Sequence, residues 1–394
     1  MPQPERLFTR NFLTLNIIIF LAFCNVAVMF KFFDYLNTLP IPQRLSGLLI
    51  GIFPMTALVL RPLISPLLHH GNAGRWIFLC TLGAMAALWA YVPVQSFWSM
   101  AMVRLLHGAA YVGLAAATIA LLVCYIPPSR SGQAFGLISV STVLPYALLP
   151  PLLDPIARRL GGFQWVMALT SLVILPALPL LLTLKTPPAD NNPGTFRQRR
   201  INSRELAEDL KNRSVSLLLL LILLFYSGFA VTFFFINSFA TKIGIPNPGY
   251  FFTLSASTTI AVRLLAGTIF DRLNKVRLLA VALLGLTAGY LALTHTSSET
   301  WFYSLAIFFG LCWGVTMPLL NALMYEISPT RFQGLNINLA TEMIDGGFIL
   351  GPLAGGIILA NGDYVLLHTL CGASIICSLA LLPFIKKSIT LHNN

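Results

Sequence analysis

The chain has 394 residues, 57% hydrophobic and 10% charged, with a mean hydropathy of +0.80. A soluble domain carries roughly a quarter charged residues, so this composition excludes one. The net charge of +12 raises the question of a nucleic-acid partner, which the placement of the charges must decide.

Apolar runs long enough to cross about 30 Å of hydrocarbon recur along the whole length. In chain order they are predicted at 11–36, 46–68, 76–95, 97–125, 132–157 and 162–184, then at 214–240, 249–270, 277–295, 300–327, 333–360 and 364–385. The runs are continuously apolar, which fits helices and not the alternation of a membrane barrel. The expected fold class is therefore an all-α membrane protein with twelve transmembrane helices in two sets of six. The basic start, MPQPERLFTR, is similar to the head of a signal peptide, but the apolar stretch behind it is too long and lacks a small-residue cleavage site. It reads as a retained first span.

With the N-terminus inside, seventeen lysines and arginines fall on inner segments and four on outer ones, namely Arg44, Arg158, Arg159 and Lys242. This asymmetry obeys the positive-inside rule and accounts for the charge without nucleic acid. Both termini are then cytoplasmic, and the location is a cell (inner) membrane. The six cysteines lie in spans without a C-x-x-C pair, so they read as small buried hydrophobes. His368 and Cys371 share a helical face, but no third ligand stands near them, and neither a metal nor another cofactor is expected.

The long polar stretch 185–213 separates an N-terminal bundle, 1–184, from a C-terminal one, 214–394. The halves repeat. "RPLISPLLHHGNAGR" begins at Arg61 and "RLLAGTIFDRLNKVR" at Arg263, an offset of 202, while Pro128 and Arg130 answer to Pro329 and Arg331 at an offset of 201. A nearly constant offset indicates duplication of a six-helix unit. The first copy carries His69 and His70 where the second carries Asp271 and Arg272.

These residues resemble the major facilitator superfamily. Gly267, Asp271, Arg272 and Arg277 match its loop motif G-x-x-x-D-R-x-x-x-R/K. "RLLHGAAYVG" at 104–113 is similar to the R-x-x-Q-G motif of the drug/proton antiporter branch, with His107 in the glutamine position. "GFILGPLAGG" at 347–356 is similar to the antiporter signature, here on the eleventh span and not the fifth. The resemblance implies the fold of that superfamily, with two pseudo-symmetric six-helix bundles that rock about a central site. It also implies gating roles for Gly267, Asp271, Arg272 and Arg277, and coupling roles for a first-span acid and Arg104.

Ionisable groups inside spans are costly and so become functional candidates. At about 1.5 Å per residue, Asp345 lies roughly 18 Å and Glu342 roughly 13 Å into the eleventh span, depths suited to proton carriers. A structural acid bonded to neighbouring polar groups remains the competing reading for both. Arg104 enters about 10 Å from the outer side. Lys31 and Asp34 stand one turn apart on the first span, where Asp34 has either Lys31 or Arg104 as a partner. His107 titrates near neutrality or packs as a hydrogen-bonded ring. Arg61 and Arg263 near the inner ends of the second and eighth spans suggest structure or gating, with side chains that snorkel. Asn25, Tyr226, Asn237 and Asn321, with Phe32, Phe33, Phe234 and Phe235, suggest an aromatic, amphipathic cavity on spans that line the cavity in the superfamily. Pro145, Pro150, Pro151, Gly351 and Pro352 favour bending or close packing.

The expected function is secondary active transport of a small organic solute, anionic or amphipathic, by proton-coupled antiport and efflux. Proton-coupled uptake, export of a metal-chelating metabolite such as a siderophore, and a non-transporting sensor stand as alternatives. The sequence has no P-loop and no hydrolase or metalloprotease motif, so it is not read as an ATP-driven pump or an enzyme. The expected partners are the solute, protons and membrane lipids, with the chain acting as a monomer.

Overall fold

In the computed structural model the apolar runs are helices. It describes residues 7–127, 130–184, 209–329 and 331–392, with the side chains of 70, 131–132, 266–272 and 386–392 left aside. The spans are α1 (Arg10–Leu36), α2 (Gln43–Leu67), α3 (Gly71–Ala90), α4 (Phe97–Val123), α5 (Gln133–Leu148 and Pro150–Leu160), α6 (Phe163–Leu182), α7 (Arg213–Lys242), α8 (Tyr250–Arg272), α9 (Lys275–Thr294), α10 (Glu299–Ile327), α11 (Gln333–Leu359) and α12 (Tyr364–Ile385). Among the described residues, ten of these are long and apolar enough to cross a membrane unbroken. The bent α5 makes an eleventh, and α8 has a shorter apolar part, Tyr250–Leu265.

Polar residues at the ends of the apolar runs set where the helices start. The side chains of Thr9, Ser96, Asn212, Asn274 and Ser298 accept from first-turn backbone N–H groups at 3.0–3.3 Å, which removes donors that the helix itself cannot satisfy. The third helix begins about six residues before the predicted 76. His69 caps it, and its backbone N–H donates to Asn72 Oδ1 at 2.9 Å, so a polar, non-apolar stretch is recruited into the helix. That capping pair gives the first-copy histidine a local structural use.

The prolines divide by context. In α5, Pro150 follows Leu148 by two residues and the helix bends there by 43°; Pro151 stands beside it, while Pro145 remains inside the preceding helix. In α11, Pro352 stays inside one continuous helix, and its glycines serve close packing. A Cβ on Gly347 would lie 2.7 Å from Tyr226 Cβ, and one on Gly351 would collide with the Ser227 carbonyl oxygen. Small residues at this spacing let α7 and α11 approach backbone to backbone.

The chain falls into two compact units, one of residues 1–41 and 56–199, the other of 42–55 and 200–394. In the first, α1 packs on α4, α5 and α6, and α3 packs on α4 and α6. In the second, α7 packs on α10, α11 and α12, and α9 packs on α10 and α12. Adding six to each helix number turns these pairs of the first unit into those of the second, so the duplication read from the motifs reappears in this part of the helix pairing, while α8 packs in addition on α10.

Just before α7, Asp209 is buried and accepts from Asn336 Nδ2 at 3.5 Å, while its second oxygen and the Asn336 carbonyl oxygen have no partner. Burial raises its carboxyl above the ordinary range, and the Asn336 bond opposes this only in part. A carboxyl raised on folding favours the fold at low pH, and that contribution is lost as pH rises through the folded value. Asp209→Asn removes the buried charge, replaces its orphaned oxygen by a donor and leaves the Asn336 side-chain oxygen as an acceptor for it. Thermal unfolding in detergent is expected to show the variant more stable at pH 7 by about 1 kcal/mol, with the difference shrinking toward pH 4. A lower melting temperature at pH 7 would contradict this.

Candidate functional site

In the first unit, three of the expected site residues join in one buried chain. Arg104, His107 and Asn25 are each no more than 1% exposed. The Arg104 guanidinium lies over the Phe32 ring, 4.5 Å from its centroid, with Met29 Sδ at 3.6 Å. Beside it, within hydrogen-bonding reach, is the hydroxyl of Tyr91. Tyr91 Oη is 3.0 Å from His107 Nδ1, and His107 Nε2 is 2.6 Å from Asn25 Oδ1. Since an amide oxygen only accepts, His107 carries its proton on Nε2 and donates to Asn25. With the ring neutral, Nδ1 accepts from the Tyr91 hydroxyl, whose oxygen is left to accept from Arg104. The bonds run one way from Arg104 to Asn25 across α4, α3 and α1. The Tyr91 backbone carbonyl in turn accepts from Tyr35 Oη at 3.2 Å.

Sequence reasoning missed Tyr91, a tyrosine at the C-terminal end of a span with no motif around it. It also missed Asp154. Lys31 forms an ion pair with Asp154, and both side chains are less than one-fifth exposed. Each stands where a helix is irregular: Lys31 ends a 3-10 turn inside α1, and Asp154 sits between Pro151 and Pro155 beyond the bend in α5. Asp34 lies one turn past Lys31 and is half-buried. Phe32 and Phe33 are fully buried and serve packing, not a cavity surface.

In the second unit, Glu342 and Asp345 are half-buried one turn apart on α11. Tyr226 on α7 is half-buried, and it neighbours Arg263 of α8. Arg263 Nη2 lies 3.3 Å from Met317 Sδ on α10. Phe234, Phe235 and Asn237 are buried, Phe235 closing over Gly355, so here too the expected aromatic surface is mostly packing. Asn321 is exposed on α10.

The expected gating residues are spread out. Arg61 is half-buried in the last turn of the second span, and Arg277 is exposed in the first turn of α9, its backbone N–H donating to Asn274. The side chains of Gly267, Asp271 and Arg272 lie outside the described residues. Gly351 and Pro352 are buried, the first against α7, the second with its carbonyl oxygen against Gly47 of the 42–55 segment. Among the described residues, no group of three or more histidine, cysteine or acidic side chains forms a metal cluster.

Comparison with known proteins places this geometry. A family model described as Major Facilitator Superfamily matches residues 12–352. The multi-drug resistance efflux pump PmrA of Streptococcus pneumoniae is 22% identical over 353 residues, covering 84% of this chain and 83% of the pump. Among solved structures, the nucleoside transporter NupG superposes with a TM-score of 0.73 at 14% identity, covering 96% of this chain and all of the other. A bacterial homologue of the human lysosomal transporter Spinster, inward-facing and unoccupied, superposes with a TM-score of 0.74 at 17% identity over 99% and 97% of the two chains. At such identities the solved structures establish the fold alone.

Proposed function

The chain belongs to the Major Facilitator Superfamily and is a multi-pass membrane transporter, and from that premise we propose that it exports a small organic solute in exchange for protons, by alternating access. The observation that carries the proton coupling is the pair of half-buried carboxyls, Glu342 and Asp345, inside an apolar span. Such groups are expensive in a membrane and so mark functional positions, and a carboxyl that binds and releases a proton as its surroundings change is the simplest use. In this reading Asp345 is the principal carrier. His107, with both ring nitrogens engaged, holds Arg104 and Tyr91 in place, and Asp34 acts beside Lys31. Because Lys31 is paired with Asp154, the preference for an anionic or amphipathic solute rests on Arg104. Export is the direction favoured by likeness to a multi-drug efflux pump. The distribution of lysine and arginine supports cytoplasmic termini; an inner membrane and a monomeric working unit complete the reading.

Counterflow in proteoliposomes tests the carrier step without assuming any coupling ion. Solutes are chosen by the thermal shift they give the purified protein. Exchange of labelled for unlabelled solute, with no gradient imposed, is the expected result; its absence for every solute that binds would favour a sensor.

The repeated loop supplies a second test. Asp271 carries a fixed negative charge suited to a conformational latch on a helix N-terminus, as the motif resemblance implies. His69 is engaged in capping the third helix. Asp271→Asn is therefore expected to reduce counterflow about tenfold or more, whereas His69→Asn, which keeps a capping side chain, leaves flux near wild type. Equal sensitivity at the two positions would defeat the asymmetric latch.

A further inference from the structure

The second unit holds a layered set of aromatic rings that packing alone does not account for. Its inner layer is closed: Trp313 of α10 stacks on Phe252 of α8, with centroids 6.1 Å apart and planes 17° apart, and both are at most 3% exposed. Its outer layer is open. Phe229 of α7 stands edge-on to Trp313 at 4.8 Å and meets Phe348 of α11 at 5.9 Å, and Phe229, Phe348 and Tyr226 are all half-buried. Tyr226 stands T-shaped to Phe229, with ring centroids 6.1 Å apart. The inner rings fix the outer ones, so a surface of aromatic faces and edges is held ready before anything binds. Polar groups adjoin these rings: the Tyr226 hydroxyl with its neighbour Arg263, and Asp345 one helical turn before Phe348 on α11.

We propose that Phe229, Phe348 and Tyr226 form a binding subsite for a planar aromatic group of the transported solute, whose polar substituents meet these polar groups. This rests on the carrier reading and narrows its substrate class. An aromatic guest gains ring-to-ring electrostatic contact that a saturated guest of the same bulk does not, and pairs of this kind are commonly worth a few-fold to tenfold in affinity. The same arrangement explains why a carboxyl and an aromatic surface adjoin: a guest lying on Phe348 is one helical turn from Asp345.

Calorimetric titration of the full-length protein in lipid nanodiscs tests the subsite, with empty nanodiscs to remove partitioning into lipid. The probes are 2-naphthoate and its saturated counterpart decahydro-2-naphthoate. Naphthoate is expected to bind about three- to tenfold more tightly than the saturated acid. Phe229→Leu and Phe348→Leu, which keep apolar volume but lose the ring, are each expected to abolish most of that preference, while Phe135→Leu on the other unit leaves it unchanged. Equal affinity for the two acids, or an intact preference in a leucine variant that melts like wild type, would overturn the subsite. Selective naphthoate binding together with no counterflow of any solute that binds would overturn the carrier reading alone. Counterflow of other solutes with no naphthoate preference would overturn the subsite alone.

Discussion

Asp345→Asn is expected to abolish solute movement driven by a pH gradient while leaving counterflow and solute binding in place. The two halves of that result have different physical origins. Asparagine has nearly the shape of aspartate, and the site is half-buried, so α11 and its glycine contacts with α7 tolerate the change. It has no titrating group, so a proton can no longer be taken up on one side and released on the other. The loss should therefore be complete for the driven mode and small for exchange. Glu342→Gln, one turn nearer the end of the helix, is expected to reduce driven transport without abolishing it. Full pH-gradient coupling in Asp345→Asn would remove that residue from the proton path.

At the buried chain of the first unit, Arg104→Lys is expected to behave as a loss and not as a conservative change. The planar guanidinium covers the Phe32 ring and reaches the Tyr91 hydroxyl together, which an ammonium on a flexible stem does not reproduce. The Tyr91 oxygen would then lack its donor in a fully buried place. Hydrogen bonds to charged groups contribute roughly 1.5–3 kcal/mol to the fold, so the variant should lose stability of that order, and binding or coupling of an anionic solute should fall as the chain loosens. Tyr91→Phe is expected to reproduce part of the defect, since it breaks both the Arg104 and the His107 contacts. Kinetics like wild type in both variants would leave the chain a packing device only.

The helices were legible because hydrophobic length is a local property: a run of about twenty apolar residues can satisfy its backbone in lipid only as a helix. Their ends were less so. The apolar signal near 76 says nothing of the His69 and Asn72 pair that starts the third helix earlier, because a cap depends on side-chain geometry and not on hydropathy. The duplication was legible from motif offsets and reappears in part of the helix pairing. The site was read in fragments. Arg104, His107 and Asn25 stood out as polar residues in apolar surroundings, but Tyr91 and Asp154 are made important by neighbours 16 and 123 positions away. No local pattern carries such information. For the same reason Phe32, Phe33, Phe234 and Phe235 drew attention as a cavity surface, whereas Phe229 and Phe348 are the half-buried ones. Which face of a helix closes and which stays open is decided by its partners.

Simultaneous recording of solute and proton fluxes in proteoliposomes is the most direct test of proton-coupled transport by this chain. With a solute that shows counterflow, an imposed pH gradient should drive it uphill, and solute moved down its own gradient should carry protons the opposite way, both effects vanishing in Asp345→Asn. Solute movement that equilibrates without responding to the pH gradient, and without accompanying proton movement, would contradict the coupling.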